Sequence, residues 1–172
     1  MTGWPAAPVL NADSDLQPVR PSPRGGPGLG PDGEHGCGHA ADPELIPRRL
    51  HFVWVGSKLP EKQRAFIETW RDTNPSYEIV AWSEDSIDLT IPAIATAYRR
   101  KRWATVADIV RLIAVYEQGG IYLDTDFRVY RPLDQLLTHR CFFAFQHEHH
   151  PTDWVCNGVF GAIPRHPSLA LP

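Results

Sequence analysis

Two carboxylates two residues apart, Asp124 and Asp126, follow the short apolar run Ile121-Tyr122-Leu123. In extended backbone, residues i and i+2 point to the same side, so the pair is expected to face one small target together. Hard oxygen donors at that spacing suit Mg²⁺ or Mn²⁺ carrying a diphosphate. The same residues also read as a polar turn between two strands. Asp108 and Arg111 stand three apart within the apolar stretch Thr105 to Gln118, hence on one face of a helix. They read either as a capping carboxylate with an internal ion pair or as groups holding a polar ligand, because charges are rarely buried without a partner or a function. Trp54 offers a flat apolar surface for a ring and equally fills a core. Tyr122 carries the same two readings, and Asn157-Gly158 is also an ordinary hairpin turn.

These residues need elements to position them. Leu50 to Val55 is nearly continuous apolar sequence closed by Gly56, the pattern of a strand covered on both faces and hence of a parallel sheet. Helical spacing through Ala65, Phe66 and Trp70 predicts a helix over Glu61 to Arg71, stopped by Asn74-Pro75. Tyr77 to Trp82 reads as a second strand and Ile91 to Arg102 as a helix entered through Pro92. Thr105 to Gln118 is the clearest helix; Thr105 is its expected cap, and apolar residues almost all round predict that it is buried. Gly119-Gly120 ends it, since Gly takes the left-handed conformation that helix ends need. Ile121 to Leu123 then forms a short strand, with Asp124 and Asp126 at its carboxyl end, where ligands of α/β sheets bind. Arg128 to Tyr130 extends a strand, Pro132 opens a short helix through Leu137, and Cys141 to Phe145 and Val155 to Ala162 are further strands. Pro167, after His166, opens a last helix. The alternation predicts an α/β layered domain.

Residues 1 to 44 hold eight of the 17 prolines and eight of the 13 glycines, too little apolar surface to offset ordering entropy, so a disordered tail is expected before a domain over 45–172. Glu34-His35-Gly36-Cys37-Gly38-His39 imitates a ligand cluster, but no second cluster stands at zinc-finger spacing. His147-Glu148-His149-His150 reads as a solvated loop. Net charge is −3, and the one basic run, Arg99 to Arg102, reads as a solvated helix end, so no nucleic-acid partner is expected. Three cysteines, Cys37, Cys141 and Cys156, fit a reducing compartment. With neither a secretory signal nor an apolar run of membrane-spanning length, the expected location is cytoplasmic.

Taken together, Leu50-His-Phe-Val-Trp-Val-Gly56, Asp108-x-x-Arg111, Tyr116, Gly119-Gly120-x-Tyr122-x-Asp124-x-Asp126, Asn157-Gly158 and His166-Pro167 resemble one family. They resemble the sugar-binding D-x-D glycosyltransferases related to yeast initiating mannosyltransferases, bacterial capsular polysaccharide synthesis enzymes and clostridial glucosylating toxins. The resemblance runs from about residue 46 to the end. It implies a GT-A fold, a Rossmann-like sheet binding a UDP- or GDP-sugar with Mn²⁺ or Mg²⁺, and transfer with retention to a glycan, lipid or protein hydroxyl. By the same resemblance Asp126 binds the metal directly, and Asp124 contacts ribose or sugar hydroxyls and the metal's water shell. Asp108 and Arg111 hold the sugar, Trp54 lies on the base, Tyr122 lines the nucleotide pocket, and Asn157 lies near the sugar. Ala107 replaces a serine common in this family. The chain also ends where such enzymes continue, so a donor half with an incomplete acceptor half is expected. Two rivals remain at this stage: a non-catalytic nucleotide-sugar binder, and a phosphohydrolase with an aspartyl nucleophile in Asp124-Thr125-Asp126.

Overall fold

β1 (Arg49–Val53) is the apolar run just described, and a computed structural model places it between two parallel neighbours, as continuous burial requires. The structure describes residues 45–146 and 154–170. The expected tail over 1–44, its cysteine–histidine cluster and the His147–His150 loop lie outside the described residues. After β1 come α1 (Glu61–Thr73), β2 (Glu78–Trp82), α2 (Pro92–Arg99), α3 (Trp103–Gln118), β3 (Gly120–Leu123), β4 (Cys141–Phe145) and β5 (Val155–Ala162). The sheet order is β2-β1-β3-β5-β4; β2, β1 and β3 run parallel, while β5 and β4 add antiparallel.

Alternating side chains divide between two helical layers. Val53, Val80, Trp82, Tyr122 and Phe160 face α2 and α3, and Leu50, Phe52, Ile79, Ile121 and Leu123 face α1. Burying each large apolar side chain stabilises by roughly 1.5–3 kcal/mol, so truncating one such as Ile121 would loosen the strand that carries Asp124.

The α3-to-β3 corner depends on its glycines. Gly119 and Gly120 have φ of 63° and 110°, which side chains disfavour, and the Gly119 N–H donates to Val115 O at 2.8 Å. A Cβ on Gly120 would come within 2.9 Å of both the Arg49 carbonyl and His51. His51, wholly buried, takes the hydrogen of Trp82 Nε1 on Nδ1 at 3.2 Å, leaving Nε2–H to donate to Gly119 O at 2.8 Å. Burial drives its pKa down from 6.5 to about 4, so the ring is neutral and pins the corner.

Four expectations are corrected. α3 begins at Trp103, with Arg102 and not Thr105 at its cap position; Trp103 packs edge-on to Tyr98 and close over Gly56, and that packing extends the helix. Neither is α3 buried all round: Asp108 is exposed. Asn157-Gly158 lies inside β5 and makes no hairpin turn. Arg128–Tyr130 is no strand, because its neighbourhood bonds to α1 instead. Trp70 Nε1 donates to Phe127 O (2.9 Å), Val129 N to Thr69 Oγ1 (3.1 Å), and Leu133 N to Asn74 Oδ1 (2.8 Å). The remaining segments fall within a residue or two of expectation, except that α2 ends at Arg99 and not Arg102, where Lys101 takes a φ of 54°, and 3₁₀ turns at Asp134–Thr138 and Pro167–Leu169 stand in place of the two short helices.

Candidate active site

Parallel β1, β2 and β3 all end at one edge of the sheet, and the antiparallel register brings the start of β5 and the end of β4 to the same edge. Here α3, β3 and β5 converge. Arg111, its side chain only 7% exposed, reaches from α3 to Asp108 Oδ1 (3.1 Å) and Asp124 Oδ1 (3.3 Å) through Nη2. Its Nη1 donates to the Asn157 carbonyl (2.7 Å) and to Asp124 Oδ2 (3.4 Å), and Nε to Ala107 O (3.3 Å). Asn157 Nδ2 closes the ring on Asp108 Oδ1 at 3.2 Å. One guanidinium thus orders two carboxylates and a strand carbonyl, a task suited to its rigid fork of donors.

Tyr122 supports this group from below. It is 1% exposed, stacks on Phe160, lies under the Arg111 guanidinium (4.6 Å to the ring centre) and donates its hydroxyl to Asp124 Oδ1 at 2.8 Å. Burial pushes the Tyr122 hydroxyl pKa well up, so it remains a donor. Asp124 is half-buried; burial raises its pKa, the Tyr122 hydroxyl and Arg111 pull it back, and the charge of Asp126 pushes it up again. Asp124 is already outside the strand: its carbonyl accepts from Phe127 N–H at 3.1 Å, closing a turn. The expected shared direction of Asp124 and Asp126 in extended backbone is therefore replaced by a turn that keeps the two charges within electrostatic reach. Asp126 is exposed and has no hydrogen bond or ion pair among the described residues.

No group of three or more His, Cys, Asp or Glu is gathered for a metal among the described residues. The chemistry of the pair nonetheless fits a hard divalent cation of the magnesium type, which one or two carboxylates hold together with substrate phosphates and water. Among the described residues the Asp126 oxygens have no partner, whereas those of Asp124 are engaged by Tyr122 and Arg111. Trp54 lies on the same edge but apart from this cluster: it is half-buried against the α1-side core, and its Nε1 donates to Ser57 O at 2.9 Å.

Three contributors escaped the sequence reading. Phe127 and Phe145 line a cleft of about 350 Å³ with Asp124, Asn157 and Gly158. Gly158 matters by its emptiness. Its carbonyl accepts from Asp124 N–H (2.8 Å), and a Cβ there would sit 2.8 Å from Asp124 Oδ2. The only sequence signal was a glycine next to Asn157, which also reads as a turn.

A mixed α/β sheet with acid–guanidinium chemistry at the carboxyl edge of its parallel strands is a GT-A-like architecture. Residues 60–143 match the model of the glycosyltransferase sugar-binding region containing a DXD motif, so this stretch is the family's sugar-binding region. A mannosyl phosphorylinositol ceramide synthase of Saccharomyces cerevisiae is 30% identical over 80% of this chain and 37% of its own length. An inositol phosphoceramide mannosyltransferase of Schizosaccharomyces pombe is 33% identical over 72% of this chain and 35% of its own. The chain spans little more than a third of these curated relatives. In fold it resembles the solved PaToxG glycosyltransferase, with a TM-score of 0.59 at 16% identity over 73% of this chain and 58% of that one.

Proposed function

We propose that the chain carries the donor-binding part of a metal-dependent glycosyltransferase that moves a sugar from a nucleotide-sugar to an acceptor hydroxyl with retention. The observation that carries this reading is Arg111 bridging Asp108, Asp124 and the Asn157 carbonyl beside an exposed Asp126. Relatives named for mannosyl transfer to inositol phosphoceramide make mannose the first candidate sugar and a lipid hydroxyl the first candidate acceptor. A divalent cation held by Asp126, and through water by Asp124, would supply positive charge to the leaving diphosphate.

The chain's own residues have separable parts. Asp108, half exposed, accepts hydrogen bonds from sugar hydroxyls. Arg111 holds both carboxylates in place, and their negative charge stabilises oxocarbenium character at the sugar. Both Asp124 oxygens are hydrogen-bonded, which disfavours Asp124 as a covalent nucleophile and favours acceptor attack from the leaving-group face. The same engagement argues against an aspartyl phosphohydrolase. Thermal shift across UDP- and GDP-sugars with Mn²⁺ tests the reading, because ligands of the native state raise its melting temperature. A shift for at least one sugar nucleotide, larger with Mn²⁺, is expected; no shift with any would overturn it. Donor hydrolysis in the same samples separates an enzyme from a non-catalytic binder.

A further inference from the structure

Asp126 leaves the sheet on a loop without regular structure of its own: residues 125–133 form neither helix nor strand. Its backbone is fixed from two sides. Upstream, Asp124 N–H donates to Gly158 O (2.8 Å), and Phe127 N–H returns to Asp124 O (3.1 Å), closing the turn over Thr125 and Asp126. Downstream, the hold comes from α1. Trp70 Nε1–H donates to Phe127 O at 2.9 Å, and Val129 N–H donates to Thr69 Oγ1 at 3.1 Å. The Arg128 guanidinium lies over the Phe66 ring at 4.9 Å, and Leu133 N–H donates to Asn74 Oδ1 at 2.8 Å. Phe66, Thr69, Trp70 and Asn74 follow the three- and four-residue spacing of a single helix face, so α1 turns one side to the whole loop.

Trp70 is the fixed point of that side. It is wholly buried and edge-on to Phe52, with ring centres 6.0 Å apart. A phenylalanine would fill most of the same space. What the indole adds is one donor, and a buried donor needs its acceptor. That acceptor is the carbonyl of Phe127, the residue directly after Asp126. The exposed Asp126 side chain has no hydrogen bond or ion pair among the described residues, so its position is inherited from the backbone on either side.

We propose that Trp70, supported by Thr69, is the positioning residue for Asp126: the two α1 side chains set the Phe127–Val129 backbone and thereby aim the Asp126 carboxylate at a divalent cation. That role rests on the reading of Asp126 as a metal ligand, and it adds residues that touch neither cation nor sugar nucleotide. A carboxylate on an untethered turn loses conformational freedom when it takes up a cation. One that is already held loses less, which is how groups behind a ligand raise metal affinity.

Calorimetry on the full 172-residue chain tests this, at a temperature where every variant is folded. The quantity read is the Mn²⁺ concentration that gives half-maximal binding of UDP or GDP. Trp70→Phe keeps an aromatic ring, removes the donor, and should raise that concentration roughly tenfold. Thr69→Val keeps the branched shape at a half-buried position and removes the acceptor for Val129 N–H. It should raise the concentration in the same direction, and it decides the matter if Trp70→Phe does not fold. Phe52→Leu disturbs the same packing without removing a hydrogen bond, so its melting temperature should fall while its Mn²⁺ requirement stays as in the parent. Loss of Mn²⁺ dependence in Asp126→Asn, with an unchanged requirement in the Trp70 and Thr69 variants, would overturn this inference alone. An equal rise in Phe52→Leu would also overturn it, by making packing the cause. Retained Mn²⁺ dependence in Asp126→Asn, or no Mn²⁺-dependent nucleotide binding by the parent, would overturn the metal reading and this inference together.

Discussion

The Tyr122 hydroxyl donates to Asp124 Oδ1 at 2.8 Å while the Tyr122 ring carries the Arg111 guanidinium on its face. One buried side chain thus sets the position of both an acid and its counter-charge. Tyr122→Phe keeps the ring stack and removes the donor. Stability should fall by about 1 kcal/mol, and the Asp124 pKa should rise further, since that bond pulls it down. Carboxyl NMR titration with donor affinity checks this; an unmoved Asp124 pKa would show the hydroxyl to be idle.

Asp108→Asn separates ligand binding from scaffolding. Asp108 is half exposed, and Arg111 keeps Asp124 and the Asn157 carbonyl as partners, so stability should change by less than about 1 kcal/mol. Nucleotide-sugar affinity should drop about tenfold or more, the scale of losing a charged hydrogen bond, while bare nucleotide diphosphate binds as before. A protein that melts far lower yet discriminates sugars normally would make Asp108 purely structural.

Gly158→Ala should damage binding through Asp124. The added Cβ would meet Asp124 Oδ2 at 2.8 Å and the Phe127 ring at 3.1 Å, so the carboxylate or the strand must yield at roughly 1–3 kcal/mol. Donor affinity and urea midpoint, measured together, should both fall; normal affinity would mean that the carboxylate position is not critical.

Asp126→Asn should leave the melting temperature within about 2 °C, because exposed side chains contribute little to stability. Mn²⁺-dependent nucleotide binding should disappear. Full retention of metal-dependent affinity in this variant would remove Asp126 from the metal.

Acid should weaken the fold through His51. Its folded pKa of about 4 lies below the ordinary 6.5, so the unfolded chain binds the proton more readily. Stability is complete above the unfolded value and declines as pH falls toward the folded one, by ~2 kcal/mol at pH 5. His51→Gln offers a donor and an acceptor without titrating. Its stability relative to the parent should therefore improve between pH 7.5 and pH 5; a constant difference would show that His51 does not titrate in this range.

What the sequence revealed and what it hid have physical reasons. Asp108, Arg111, Tyr122 and Asp124 were legible because helix spacing, the Gly119-Gly120 stop and strand alternation are local rules. Their mutual contacts follow once α3 folds back along β3. Asn157 was ambiguous, because Asn-Gly is equally a turn signal and only the β3–β5 register puts it against Asp108. The role of Gly158 was hidden, since it lies in what a side chain would displace. Arg128 to Tyr130 was misread for a similar reason: the bonds that hold the segment come from Thr69, Trp70 and Asn74, more than fifty residues away.

Four of the five clustered side chains, Asp108, Arg111, Tyr122 and Asp124, belong to one helix–corner–strand hairpin, and Asn157 alone arrives from far along the chain. Closing a short loop costs less entropy than closing a long one, and local contacts form fastest. The acid–guanidinium half of the site therefore assembles early as a unit of α3 and β3. The arrival of β5 then completes the pocket late, so the capacity to pair charges precedes the capacity to hold a ligand during folding.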